Sequence, residues 1–165
     1  MSDPIPTGCR PVDDLLGGGF ERGVVSQVYG PPAAGKTNLA LAAAVSVASG
    51  GDRALFIDTE GLSIDRFEQM AAGRADRPDA EKPVEQIASR LVISEAYDFA
   101  DQREAVRDAE ELADEIELIV LDSATGFYRL ERAGDTEGGE SLRKVAKQVT
   151  HLLSLARRHD IAVVI

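Results

Sequence analysis

The chain's most reactive stretch is Gly30-Pro31-Pro32-Ala33-Ala34-Gly35-Lys36-Thr37. A glycine, four residues and then Gly-Lys-Thr is the spacing of a phosphate-binding loop. Its two glycines let the backbone turn N–H groups inward around phosphate oxygens. Lys36 then brings a cation to the β- and γ-phosphates, and the Thr37 hydroxyl can ligate Mg²⁺. The other reading is a chance match inside a glycine-rich turn. The ligands implied are ATP and Mg²⁺, with nucleotide contacts from Gly30, Pro31, Pro32, Ala33, Ala34, Gly35, Lys36, Thr37 and Asn38.

Such a loop needs a carboxylate for the metal. Asp122 ends the apolar run Leu118–Asp122, and open α/β sheets bind ligands at the carboxyl ends of their strands. Asp122 is therefore the candidate to hold Mg²⁺ directly or through water; its plainer role would be to cap the next turn. A second run, Ala54–Asp58, leads into Thr59-Glu60-Gly61. Glu60 can orient and deprotonate an attacking water, whereas Asp58 holds the turn. On the residues alone, Glu60 as a base stays open.

These groups need elements to bring them together. Apolar runs at 24–29, 54–58, 91–93, 118–122 and 162–165 alternate with amphipathic stretches near 37–48, 64–72, 99–114 and 139–159. Continuous apolar strands separated by helices predict a mostly parallel sheet covered on both faces. The prolines and charges of 73–83 predict a loop. From Ser141 onward, Leu142, Val145, Val149, Leu152, Leu153 and Ala156 form an apolar stripe at helical spacing. Arg143, Lys147, His151, Ser154 and Arg158 lie on another side.

At 165 residues, 44% of them hydrophobic, the chain fits one domain with its own core. No apolar run spans a bilayer and no leader opens the chain, so it reads as a soluble, cytoplasmic protein. With 29 acidic against 18 basic residues the net charge is −11. Acid spread along the whole chain suits a high-salt cytoplasm, where screening removes self-repulsion; an ordinary acidic protein is the alternative. Cys9, alone, forms no internal disulfide and reads as a small packing residue. The chain stops within its final apolar strand, so the sequence reads as a truncated product.

Taken together, the motifs resemble the RecA/RadA recombinase superfamily. The lead-in from Thr7 to Gly19 is similar to the segment before that family's phosphate loop. Phe56-Ile57-Asp58-Thr59-Glu60-Gly61 is similar to its second strand with a catalytic glutamate, and Leu121-Asp122-Ser123-Ala124-Thr125 to its metal-binding strand, with Phe127-Tyr128-Arg129 leading into DNA-binding loop 1. Within the superfamily the chain is most similar to short archaeal paralogues of RadA that lack the N-terminal helix-hairpin-helix domain. The resemblance implies a RecA-like ATPase core over 1–165, incomplete at its C-terminal end. It implies ATP binding with weak, DNA-dependent hydrolysis through Lys36 and Glu60, and Mg²⁺ held by Thr37 and Asp122. It further implies single- or double-stranded DNA as a partner, a mediator role beside the RadA recombinase in recombinational repair, and self-association as an open expectation. Arg129, Arg132, Arg143 and Lys147 are the DNA-binding candidates, a solvated face being their alternative, and Arg74 is a candidate to stack on adenine. Two features depart from the pattern: loop 1 is acidic over 133–140, which repels phosphate, and the chain ends before the residues that sense the γ-phosphate. A KaiC-like signalling ATPase and a non-hydrolysing nucleotide-binding interaction module remain as alternatives.

Overall fold

The computed structural model describes residues 2–78, 82–129 and 138–165. Five parallel strands form one sheet: β1 (Val25–Ser26), β2 (Ala54–Asp58), β3 (Leu91–Glu95), β4 (Leu118–Asp122) and β5 (Ala162–Val164), in the spatial order β1-β5-β4-β2-β3. The helices are α1 (Arg10–Leu16), α2 (Lys36–Gly50), α3 (Ile64–Ala75), α4 (Val84–Ala88), α5 (Phe99–Leu112) and α6 (Gly138–His159). The mostly parallel, helix-flanked sheet expected from the sequence is the sheet observed.

Alternation along β4 explains why its apolar run is unbroken. Leu118 and Val120 face one core cluster, with Leu41 and Val45 of α2, Phe67 of α3 and Ile87 of α4. Ile119 and Leu121 face the other, with Val106 and Ala109 of α5 and Leu152 and Leu155 of α6. A strand buried on both sides needs apolar residues at every position. Because β1 lies at the sheet's edge and β2 beyond β5 and β4, α2 must cross the sheet, which lays its buried face over the central strands.

The ends of these elements are locally encoded. Gly35 (φ 91°) precedes α2 and Gly51 (φ 107°) closes it, both left-handed. Ser63 caps α3 by accepting from the Arg66 N–H, and Asp98 caps α5 by accepting from the Asp101 N–H at 2.8 Å. Each side chain satisfies a backbone donor that the helix leaves unpaired.

Some sequence expectations are corrected. The run at 24–29 yields a strand of only two residues, although the Val28 N–H still donates to the Ile165 carbonyl (2.8 Å) and the Ile165 N–H to the Ser26 carbonyl (2.9 Å) across the β1–β5 edge. Two short helices, α1 and α4, were not expected: α1 buries no residue and α4 is five residues long, so neither leaves a helical stripe. In α6 the buried line runs through Val145, Gln148, Leu152, Leu155 and Ala156, whereas Leu142 is 55% exposed. Cys9 is exposed and packs no core.

Leu41 is fully buried in the helix that carries the glycine-rich loop. Leu41→Ala should lower unfolding stability by about 2–5 kcal/mol in a denaturant titration. A loss below about 1 kcal/mol would contradict the packing of α2 described above.

Candidate functional site

The glycine-rich loop joins β1 to α2 at the carboxyl edge of the sheet. Two consecutive turns of backbone shape it: Ala33 (φ 61°) and Gly35 (φ 91°) are both left-handed. Residues 30–35 are exposed and Lys36 and Thr37 half-buried, so the concave loop opens to solvent. Lys36 opens α2 and arches back over the loop, its Nζ donating to the carbonyls of Gly30 (2.9 Å) and Pro31 (2.8 Å). The ammonium is thereby held at the mouth of the loop, beside the positive end of a fifteen-residue helix. That combination attracts an anion.

β2 and β4 are adjacent and in register, so Asp58 lies directly opposite Asp122. The two carboxylates have different surroundings. Asp58 is 4% exposed and accepts from the backbone N–H groups of Glu60 (3.1 Å), Gly61 (3.0 Å) and Leu62 (2.5 Å). It holds the turn after β2, as its sequence position suggested. Asp122 instead accepts from the Thr37 hydroxyl, with Oγ1 to Oδ2 at 2.6 Å. A hydroxyl from the loop and a carboxylate from the sheet, 85 residues apart in sequence, therefore meet at one point. Both are hard oxygen donors of the kind Mg²⁺ prefers.

Glu60 reaches the same edge. Its Oε1 accepts from Ser123 Oγ at 3.0 Å, one residue beyond Asp122. Thr59 stitches the two strand ends together: its Oγ1 accepts from the Ser123 N–H (2.7 Å) and donates to the Asp122 carbonyl (3.0 Å), while its own N–H bonds the same carbonyl (2.8 Å). A Cβ on Gly126 would sit 3.1 Å from Glu60 Oε1 and 3.0 Å from Ser123 Oγ, tight enough to disturb that pair. Thr59, Ser123 and Gly126 escaped the sequence reading. The available signal was a hydroxyl residue directly after each strand-end aspartate.

The other sequence candidates lie elsewhere. Arg129 donates to Thr125 Oγ1 at 3.1 Å, in the helical turn at 126–129. Arg132 and the acidic stretch up to residue 137 lie outside the described residues. Arg143 and Lys147 are exposed on α6, one turn apart, and among the described residues neither forms an ion pair. Arg158, placed on the same basic face, is a structural group: it pairs with Glu110 of α5 at 3.0 Å. Arg74 is not positioned for adenine. Its guanidinium donates to Ser46 Oγ at 2.9 Å, and Ser46 lies ten residues after Lys36, roughly 15 Å along α2.

Burial raises the Asp122 pKa, the negative charges of Glu60 and Asp58 raise it further, and the Thr37 hydroxyl and Lys36 only partly offset this. A carboxyl whose pKa is higher folded than unfolded stabilises the fold most when protonated. That contribution is present at low pH and is lost as pH rises through the raised value. At neutral pH without a cation, ionised Asp122 is thus a local cost. Asp122→Asn should melt no lower than wild type in EDTA at pH 7, and up to about 4 °C higher. The same variant should lose the thermal shift that Mg²⁺ and ATP give wild type. A variant melting well below wild type in EDTA would contradict this electrostatic balance.

Comparison with known proteins places this geometry. The Rad51 family profile matches residues 4–165. The DNA repair and recombination protein RadB of Halobacterium salinarum is 55% identical over 161 residues, covering 98% of this chain and 66% of that protein. The RadB of Methanococcoides burtonii is 41% identical over 166 residues, covering 100% and 70% respectively. A crystal structure of the RadB recombinase superposes with a TM-score of 0.77 at 35% identity, covering 98% of this chain and 68% of that one. The chain thus spans just under two thirds of the length of the Halobacterium relative. The match runs through the loop, both strand-end carboxylates and the elements that carry them, and the chain belongs to the Rad51 family, alongside the RadB proteins.

Proposed function

We propose that this chain is the nucleotide-binding core of a DNA repair and recombination protein, taking Mg²⁺·ATP in the loop of residues 30–37. The observation that carries the proposal is the 2.6 Å contact between Thr37 Oγ1 and Asp122 Oδ2. It supplies two oxygen donors for a divalent cation next to the lysine that would meet the phosphates. Mg²⁺ fits this donor set, and when bound it would neutralise charge on the β- and γ-phosphates.

The chain's own residues divide the remaining work. The backbone N–H groups from Ala33 to Asn38, at the mouth of the loop and the start of α2, would bind phosphate oxygens. Lys36 would leave the carbonyls of Gly30 and Pro31 for the triphosphate, a short movement of a flexible stem. Glu60, held by Ser123, would orient a water for attack and take its proton. In this reading hydrolysis is weak and DNA-dependent, and ATP acts chiefly as a switch.

The relatives' names support DNA recombination as the setting. In this reading DNA is the macromolecular partner, contacted by Arg129 and the α6 cations Arg143 and Lys147, and the RadA recombinase is the protein assisted. The cytoplasm is the compartment; among the described residues no helix is long and apolar enough to cross a membrane.

Lys36→Ala tests the reading. It should weaken Mg²⁺·ATP binding at least tenfold with the melting profile preserved, and abolish ATP-dependent stimulation of RadA strand exchange. Stimulation surviving at full strength despite lost ATP binding would show the nucleotide to be only a fold element. For DNA, single-strand binding at high salt with and without ATP is the check, and no binding in either state would remove DNA from the proposal.

A further inference from the structure

Outside the loop site, a cluster of cationic side chains surrounds a cavity of about 290 Å³ between α5 and α6. Arg103, Arg107, Lys144 and Lys147 line it, with Val106, Gln148 and His151, and among the described residues no carboxylate contributes to its wall. Two of the four cations are partly matched nearby: Arg107 by Glu104 (3.4 Å) and Asp108 (3.3 Å), and Lys144 by Glu140 (3.4 Å). Arg103 and Lys147 are exposed, and among the described residues neither enters an ion pair.

The inner wall provides a second, independent observation. Gln148 is 4% exposed, and its Nε2 has no hydrogen-bond partner among the described residues; the same holds for the buried Nε2 of His151. A buried amide donor left unpaired loses its hydration with nothing in return, so the Gln148 N–H calls for a ligand. The orientation of the Gln148 amide follows from its neighbours. Gln102 Nε2 donates both to the Ala124 carbonyl (3.2 Å) and to Gln148 Oε1 (2.8 Å). The carbonyl can only accept, which fixes the Gln102 amide and, through it, leaves Gln148 Nε2 as the free donor. Two cations at the rim and the Gln148 amide N–H beneath them form a site for an oxyanion, with charge from the arginine and lysine and direction from the amide N–H.

We propose that this α5–α6 cavity is a phosphate-binding site, separate from the glycine-rich loop, that takes a phosphate oxyanion from either the DNA backbone or free inorganic phosphate. The inference stands without the ATP reading. Its inner wall connects to the loop site through Gln102 and the Ala124 carbonyl, two residues beyond Asp122.

The chain's two histidines allow a direct test. His151 lines the cavity, and His159, bonded to Asp114 at 2.8 Å, serves as an internal control. Ring resonances are followed by NMR while inorganic phosphate, then an oligothymidylate, is titrated against chloride of equal ionic strength. Saturable movement of His151 with His159 unmoved is expected, weakened at least tenfold in the exposed double variant Arg103→Gln/Lys147→Gln. Gln148→Leu should weaken it also. A response to the oligonucleotide at far lower concentration assigns the DNA backbone as the source; a response to phosphate alone assigns the free ion. A His151 signal that moves with neither, or moves equally in the double variant, overturns the proposal.

Discussion

In a parallel sheet every strand runs to the same edge, so two neighbouring strands that end in aspartate place two carboxylates side by side. Here the register sets Asp58 opposite Asp122. Two like charges at that separation are tolerable only if their surroundings differ. Asp58 spends its oxygens on three backbone N–H groups and becomes part of the turn. Asp122 is left with one hydroxyl, that of Thr37, and with a raised pKa caused first by burial. The asymmetry makes one aspartate structural and leaves the other available for a cation.

The loop reaches that carboxylate because of topology. α2 begins at the edge strand β1 and crosses β5 and β4 on its way to β2. Its first turn therefore lies over the end of β4, where Thr37 meets Asp122. The small buried residues Ala40, Ala43, Ala44 and Ala48 let the helix lie close to the sheet, and Leu41 and Val45 anchor it there. Thr59 fixes the strand ends against each other, and Ser123 fixes Glu60. The site is thus an outcome of the sheet's construction, with few contacts added for it alone.

Much of this was legible in the sequence because the governing signals are local. A Gly-x4-Gly-Lys-Thr loop and a strand ending in aspartate each state their chemistry within eight residues, and the unbroken apolar runs of β2 and β4 announce a sheet buried on both faces. What was hidden depends on pairing between distant segments. Thr59 and Ser123 matter only because β2 and β4 are in register. Gln148 reads as a polar interruption in an amphipathic helix until Gln102 of α5 is set against it. Arg74 failed in the same way: its place relative to α2 is a tertiary fact, and it points to the far end of that helix. The short α1 and α4 bury too little for periodicity to reveal them.

In the proposed function, Thr37 and Asp122 together make nucleotide binding dependent on a divalent cation. Equilibrium binding of a fluorescent ATP analogue, titrated in Mg²⁺ and in EDTA, tests it most directly when wild type is set beside Thr37→Val. Wild type should bind at least tenfold more tightly with Mg²⁺, and Thr37→Val should bind with the same affinity in both conditions. Equal affinity in Mg²⁺ and EDTA for wild type, or a Mg²⁺ gain that survives in Thr37→Val, would contradict it.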